Sequence, residues 1–240
     1  MRLVEREIKM WTLLIFIGFM LVLVFGAMNW RENRVVNKII VKGNKVIPDE
    51  KITDLADVKL GVKISEINLA QIRRKVERYS FIKYAEVYTN LPDVLFIEVL
   101  ERKPIAMTIY GGRIYYIDLD GKIIPFDEVG RIFAVPLLSG INYKPVNLNS
   151  DTIGQIKKQF ELIKNAIDEK VYDLISEVRF ENGEFILFTS EGAVMVFLGG
   201  DKIGEKLILL REFWTQVVPE RGYPIYIDLR YDEKLYAKFN

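Results

Sequence analysis

The stretch KYAEVYTNLPDVLFIEVLE, residues 83–101, carries the clearest structural pattern in this 240-residue chain. In its first half, small or apolar residues alternate with larger, more polar ones, which is typical of a strand with one buried face. The alternation sets Ala85, Val87 and Thr89 against Tyr84, Glu86 and Tyr88. Asn90-Leu91-Pro92-Asp93 then interrupts the pattern as a turn. We therefore predict two strands, about Lys83–Thr89 and Val94–Glu101.

The residues before this stretch predict one more strand and two helices. Ile39-Ile40-Val41 indicates a strand that ends in a turn at Gly43-Asn44. Pro48-Asp49-Glu50 favours a short helix through about Ala56, because proline and acidic residues suit a first turn. Asn68, with Gln71 three residues later, is a capping pair for a second helix. The predicted order is β-α-α-β-β.

After Pro104 the pattern predicts mostly strands, with turns at pairs such as Gly111-Gly112 and Asn182-Gly183. Amphipathic helices are expected near Thr152–Asp168 and Lys202–Val217. The last strands are predicted at Ile225–Tyr231 and Leu235–Phe239, with Ile225, Ile227 and Leu229 facing the core. The expected fold class is α+β: a small β-α-α-β-β domain, then a β-rich domain with two or more amphipathic helices.

One block near the start is uncharged and apolar from Met10 to Met28. At about 1.5 Å per residue, a helix of this length covers about 28 Å, close to the ~30 Å hydrocarbon layer of a bilayer. Trp11 and Trp30 lie at its two ends, where indole rings favour the membrane interface. The block is longer than the apolar region of a cleaved signal peptide, so we predict a retained transmembrane helix. The positive charges on its two sides do not decide the orientation.

The composition excludes several classes of function. The chain has no cysteine and no histidine, so thiolate catalysis, zinc–sulfur sites and Ser–His–Asp chemistry cannot be built. Its 34 basic and 33 acidic residues give a formal charge of +1, which provides no general attraction for nucleic acid. We expect no cofactor, no metal site, no small-molecule substrate and no enzymatic activity, although carboxylate-only glycan hydrolysis stays formally open.

Two short motifs resemble ligand loops, and each has a structural alternative that we favour. Asp118-Leu119-Asp120-Gly121 lacks the glutamate that a calcium loop needs at its twelfth position, so we interpret it as a hairpin turn. The run from Gly199 to Lys206 lacks the Gly-Lys-Ser/Thr ending of a phosphate loop. There we expect Asp201 to be a helix N-cap.

Charged residues define two further features. The second helix carries a basic face, for which a solvated surface is the simpler interpretation and a partner or lipid-headgroup surface the alternative. This second candidate surface consists of Arg73, Arg74, Lys75 and Arg78. Asp228 and Arg230 lie two residues apart on a predicted strand, so they point to one side and are expected either to form structural ion pairs or to orient a neighbouring strand.

The order and spacing of several motifs resemble the FtsQ/DivIB family of bacterial division proteins, whose first outer domain is a POTRA domain. The POTRA resemblance uses Ile40-Val41-Lys42-Gly43-Asn44, Leu91-Pro92-Asp93-Val94-Leu95 and the run from Glu98 to Ala106. Further matches are the runs Tyr116–Gly121, Val135–Gly140 and Ile227–Tyr231. The implied organisation is a cytoplasmic tail (1–9), a transmembrane helix (10–28), a linker (29–36), a POTRA-like domain (37–104) and a β-rich domain (105–240).

The resemblance implies a non-catalytic, single-pass scaffold at the division septum, with its large domain outside the cell membrane and with FtsB-like and FtsL-like partners. The alternative is a membrane-anchored POTRA chaperone for envelope polypeptides. We expect the final strand to offer an uncovered edge to which a partner adds a strand, as the corresponding end of the family does. The candidate partner-binding residues are Tyr231, Leu235, Tyr236, Lys238 and Phe239.

Overall fold

The computed structural model describes residues 15–26, 28, 34–91, 93–140 and 150–239. Residues 15–26 and 28 are helical. Within the described part of the chain, no helix is both long enough and apolar enough to cross a bilayer. The tail (1–9), the first residues of the predicted span Met10–Met28 and most of the predicted linker lie outside the described residues.

The chain divides into two compact units between Glu101 and Arg102. The first unit contains β1 (Lys38–Lys42), α1 (Asp49–Ala56), α2 (Leu69–Glu77), β2 (Ile82–Leu91) and β3 (Val94–Glu101). Its sheet has the order β1-β3-β2, with β1 parallel and β2 antiparallel to β3. This is the β-α-α-β-β arrangement that the sequence predicts.

Local side-chain bonds explain where the elements of the first unit begin. The Asn68 side chain accepts a hydrogen bond from the Gln71 N–H at 3.0 Å, so it caps α2 as predicted. The Glu101 carboxylate, at the end of β3, accepts the N–H groups of Val46 and Ile47 and fixes the loop before α1. Ile52 in α1 is fully buried, so the helices cover the sheet with an apolar face.

In its described residues, the second unit forms a nine-stranded sheet with helices packed against it. Its strands are β4 (Pro104–Tyr110), β5 (Arg113–Asp118), β6 (Ile123–Pro125), β7 (Leu137–Ser139), β8 (Ile175–Glu181), β9 (Glu184–Thr189), β10 (Met195–Gly199), β11 (Tyr226–Asp228) and β12 (Tyr236–Lys238). Its helices are α3 (Phe126–Val129), α4 (Ser150–Asp168), α5 (Ile203–Gln216) and α6 (Val218–Arg221). The strand order is β12-β11-β10-β9-β8-β7-β4-β5-β6.

The core of the second unit joins strands and helices that are far apart in sequence. Helix α4 packs against β4, β7 and β8, and α5 packs against β10. Fully buried residues of both helices, such as Ile163 and Leu207, meet sheet residues such as Val178, Val196 and Ile227. Strands β10 and β11 are parallel with α5 as their crossover, so the helix lies beside the last two strands.

The structure corrects two expectations for the second unit and adds a strand that the sequence did not predict. Ile225 is exposed and not in the core; it lies just before β11, which begins at Tyr226. Asp201 does not cap α5: the N-cap is Lys202, in a left-handed conformation, while the Asp201 carboxylate accepts a hydrogen bond from Lys206 Nζ at 2.7 Å. Strand β7, for which the sequence shows no alternating pattern, lies in the middle of the sheet.

Candidate partner-binding site

The candidate site is the edge of the nine-stranded sheet formed by β12. Strand β12 pairs antiparallel with β11, Tyr226 opposite Lys238 and Asp228 opposite Tyr236. It stands last in the sheet order, and no strand of the described chain covers its outer side. An edge of this kind presents unpaired N–H and C=O groups, to which another strand can add. The sequence prediction of a terminal edge strand agrees with this topology.

The backbone of β12 shows which groups face outward. The Lys238 carbonyl accepts the Ile225 N–H at 2.7 Å, so the peptide groups of Lys238 point towards β11. Because successive residues of a strand turn their backbone groups to opposite sides, the N–H and C=O of Ala237 point away from β11. The open donor and acceptor at the centre of this edge therefore belong to Ala237.

The five candidate residues fall on two different faces of the hairpin. Tyr231 and Tyr236 are 56% and 51% exposed, and their rings meet edge to face with centroids 5.2 Å apart. Lys238 is also exposed. Leu235 packs against the core, and the Phe239 ring lies 6.4 Å from that of Phe213 in α5. The two tyrosines and the lysine thus line the open side, while Leu235 and Phe239 support the strand from the helix side.

An ion pair fixes the chain where β11 ends. Asp228 accepts hydrogen bonds from Arg230 Nε at 3.0 Å and Nη2 at 2.6 Å, and from the Arg230 N–H at 3.0 Å. The bonds from Arg230 hold the pKa of the Asp228 carboxyl below its usual range. The guanidinium also lies 5.0 Å from the centre of the Phe197 ring in β10. The structural ion pair expected from the sequence is therefore present.

Lys202, at the start of α5, holds the turn between β11 and β12, a contact that the sequence pattern did not predict. Lys202 Nζ contacts Asp232 Oδ1 at 3.0 Å, so it links the helix start directly to the turn. The bond to Asp232 raises the pKa of Lys202. Lys206 is almost fully buried and pairs with Asp201. Lys202 and Asp232 are thirty residues apart in sequence, and no local pattern indicates such a contact.

At the opposite edge of the sheet, strand β6 has a proline at one of its outward positions. The Asp118 N–H bonds to the Lys122 carbonyl, and Ile117 pairs with Ile123, so alternation turns the Pro125 nitrogen outward. Proline has no N–H, so this edge lacks a donor where β12 offers one. The two ends of one sheet therefore differ in their capacity to accept a strand.

The basic face of α2 is only partly available. Lys75 Nζ contacts Asp57 Oδ2 at 2.7 Å, and this bond lowers the pKa of Asp57. Arg73 lies 4.0 Å from Glu77 in the next turn. Arg74 and Arg78 are exposed. The structure thus gives two of the four predicted residues partners within the first unit.

In the turn at Asp118, the carboxylate oxygens accept hydrogen bonds from groups of the protein itself. Asp118 is buried, bonds to Arg102 Nη1 at 2.6 Å, and accepts the N–H groups of Asp120 and Lys122. Its carboxylate oxygens are therefore used within the turn, which agrees with the hairpin interpretation. Among the residues that the structure describes, no group of three or more acidic side chains is placed to hold a metal ion.

Comparison with known proteins matches both units to family models. Residues 34–102 match the model described as POTRA domain, FtsQ-type, and residues 103–237 match the model described as FtsQ/DivIB, C-terminal related. The second match covers more than half of the chain and extends into β12.

Individual relatives agree with the family models. The cell division protein FtsQ of Syntrophotalea carbinolica is 30% identical over 209 residues, which cover 85% of this chain and 74% of the relative. FtsQ of Salinibacter ruber is 29% identical, with coverage of 87% and 84%. The cell division protein DivIB of Bacillus subtilis is 24% identical over 162 residues, with coverage of 67% and 59%. This chain belongs to the FtsQ/DivIB family of cell-division proteins.

Proposed function

We propose that this protein is a non-catalytic, single-pass membrane scaffold of the divisome, which recruits FtsB-like and FtsL-like partners through its outer domains. Residues 1–9 lie in the cytoplasm, 10–28 span the cell membrane, and 29–240 lie outside it, at the septum. The uncharged sequence from Met10 to Met28 supports the anchor, since it matches the thickness of the hydrocarbon layer. The lack of histidine and cysteine supports a role in binding and not in catalysis.

The observation that carries the proposal is the uncovered edge of β12. An FtsB-like segment adds a strand there and bonds to the outward N–H and C=O of Ala237. Main-chain bonds of this kind give affinity that depends little on sequence. The FtsL-like protein is recruited to the same assembly.

Specificity comes from the side chains beside the edge. The Tyr231 and Tyr236 rings offer a large exposed aromatic surface on one side of the added strand, and Lys238 offers a positive charge. Buried aromatic residues are common hot spots, where truncation costs about 2 kcal/mol or more. Leu235 and Phe239 hold β12 against the helix layer and contribute to the site indirectly.

The test blocks the open backbone donor without removing an internal one. In the full-length protein, Ala237→Pro removes an N–H that points to solvent, a position at which edge strands tolerate proline. The matched control, Ala237→Val, changes the same side chain but keeps the N–H. Affinity for the FtsB-like partner is measured by titration in detergent or nanodiscs, and folding is checked by thermal unfolding.

We expect Ala237→Pro to weaken partner binding by about tenfold or more, while Ala237→Val stays close to the parent protein. Tyr236→Ala, which leaves the backbone unchanged, is expected to weaken binding by about tenfold through loss of the aromatic contact. If both Ala237→Pro and Tyr236→Ala bind the partner as the parent does, β12 is not the docking edge.

A further inference from the structure

We propose that the loop of residues 58–63 in the first unit rests on the membrane surface, with Leu60 inserted between anionic phospholipid headgroups. We name residues 58–63 the tether-side loop. The inference rests on the proposed anchor helix and adds to it a second, peripheral contact between the same protein and its bilayer.

The tether-side loop is bonded to the first described residues that follow the anchor sequence. The Val36 N–H bonds to the Val62 carbonyl at 2.9 Å, and the Gly61 N–H bonds to the Val36 carbonyl at 2.8 Å. The Ile64 N–H bonds to the Arg34 carbonyl at 2.9 Å. Leu60 is therefore next to the point where the chain enters the first unit.

Covalent geometry limits how far this loop can be from the bilayer. Five residues separate Met28 from Arg34, and a chain of that length spans at most about 20 Å even when fully extended. The headgroup region adds about 5–8 Å on each side of the hydrocarbon layer. A surface held so close to the bilayer meets it at a high effective concentration, so weak contacts are sufficient to keep it there.

The side chains of the loop suit an anionic lipid surface. Leu60 is 62% exposed, and Lys59 and Lys63 on either side of it are exposed as well. A single exposed leucine is ordinary on a protein surface. A leucine between two lysines matches the two layers of the interface, since the apolar side chain enters among the lipids while the ammonium groups stay at phosphate level.

The surface beside the loop continues the same chemistry. A groove between the end of α1 and the start of α2 is lined by apolar residues together with two lysines and with Asp57, Asn68 and Gln71. These residues include Ala56, Val58, Val62, Ile67, Ile72, Lys59 and Lys75. Lys75 neutralises Asp57 at 2.7 Å, and Glu66 is the only other acid between residues 57 and 67. The stretch and the groove beside it therefore carry a positive excess, which selects anionic over zwitterionic headgroups.

The experiment measures the depth of residue 60 in the full-length protein. Because the chain has no cysteine, Leu60→Cys creates a unique thiol for an environment-sensitive fluorophore. The labelled protein is placed in nanodiscs that contain phosphatidylglycerol and a headgroup spin-labelled lipid, which quenches nearby fluorophores. The matched control is Leu119→Cys, a leucine that is 53% exposed in a turn of the second unit.

We expect quenching at position 60 to exceed that at position 119 by about twofold or more. Adding Lys59→Glu and Lys63→Glu, or replacing phosphatidylglycerol by phosphatidylcholine, is expected to reduce quenching at position 60 to the level of the control. Equal quenching at both positions in phosphatidylglycerol discs would overturn the inference and would leave the groove to a protein partner or a second copy.

The same experiment tests the proposed anchor independently of the loop contact. A chain that does not co-purify with nanodiscs refutes the proposed anchor, and with it the tether that this inference requires. A chain that co-purifies, but whose residue 60 is not quenched, refutes the loop contact alone.

Discussion

At the residue scale, Gly43 occupies a position that no other residue can fill without displacing the sheet. Its φ is +84°, and a Cβ added there would lie 2.1 Å from the Val99 carbonyl oxygen of β3. Gly61 has almost the same φ, +86°, but nothing lies within 4 Å of its added Cβ. Substituting each glycine therefore distinguishes two contributions to stability: the strain of a left-handed backbone, present at both positions, and a clash with the backbone, present only at Gly43.

We expect Gly61→Ala to lower the free energy of unfolding of the first unit by about 1 kcal/mol, through backbone strain alone. Gly43→Ala adds the clash with Val99, so its loss is expected to be about 3 kcal/mol or more. Chemical denaturation of both variants measures the difference. Equal losses would show that the β1 turn moves away from β3 at little cost.

Asp228 gives a prediction about stability and pH. Asp228→Asn removes the charge that accepts three hydrogen bonds from Arg230, so we expect the second unit to lose about 1–2 kcal/mol at neutral pH. Glu233→Gln, an equal change of charge on the adjacent exposed turn, is the control and is expected to change little.

The sign of the pH dependence follows from the lowered pKa of Asp228. A carboxyl whose pKa is lower in the folded state stabilises the fold above its ordinary value of 3.8 and loses this contribution as pH falls through the folded pKa. The difference in unfolding free energy between the parent and Asp228→Asn should therefore shrink below about pH 4. A difference that stays constant down to about pH 2 would mean that the ion pair contributes no net stability.

Single residues were predictable from sequence where the pattern is local. The turn at Gly43-Asn44 and the pairing of Asp228 with Arg230 follow from spacings of one and two residues. The contact between Lys202 and Asp232 does not, because the parallel crossover through α5 brings together residues thirty positions apart. The requirement for glycine at position 43 was not predictable for the same reason, because it depends on the Val99 carbonyl, which is distant in sequence, as well as on the local turn.

At the element scale, helix α2 depends on its N-cap. Asn68 Oδ1 accepts the Gln71 N–H, which satisfies one of the backbone donors that a helix start leaves free. Asn68→Ala is expected to lower the unfolding free energy of the first unit by about 1 kcal/mol. Asn68→Ser, which restores a capping oxygen, should recover most of this loss. Urea denaturation checks both variants, and an unchanged midpoint for Asn68→Ala would rule out the cap as a source of stability.

Elements with strong periodicity were predicted well, and short central ones were not. The existence of the two strands around residues 83–101 could be read from the sequence, and the bounds of the second, Val94–Glu101, are confirmed. The first strand is longer than predicted, since Asn90 and Leu91, expected in the turn, belong to it. Strand β7 has only three residues and is parallel to both of its neighbours, so it carries no alternation to detect. The position of β12 at the sheet edge could be predicted from the sequence. Which of the candidate side chains face the helices could not, because it depends on the contact between Phe239 and Phe213 of α5.

At the scale of the whole molecule, the two units have separate cores, so they are expected to unfold in two transitions. Gly43→Ala should shift only the transition of the first unit, and Asp228→Asn only that of the second. Hydrogen exchange with mass spectrometry assigns each transition to its unit, since peptides before and after Glu101 report separately. If one substitution shifts the exchange of both units together, they unfold as a single cooperative body.

The central position of β7 has a mechanical consequence. A partner that pulled on β12 would load the sheet across its strands, and part of the tension would pass from β8 through β7 to β4, beside helix α4, which packs on all three strands. Strand β7 is joined to β4 by two residue pairs and to β8 by three. Gln159 Nε2 donates hydrogen bonds to the carbonyls of Ser139 and Val178, and the Tyr172 hydroxyl donates one to the Ile105 carbonyl. These side chains reinforce the junction between β4, β7 and β8. Because β7 pairs with β4 over only two residues, we expect this junction to separate at a lower force than the longer β4–β5 and β8–β9 pairings, which limits the pull that a partner docked on β12 could exert.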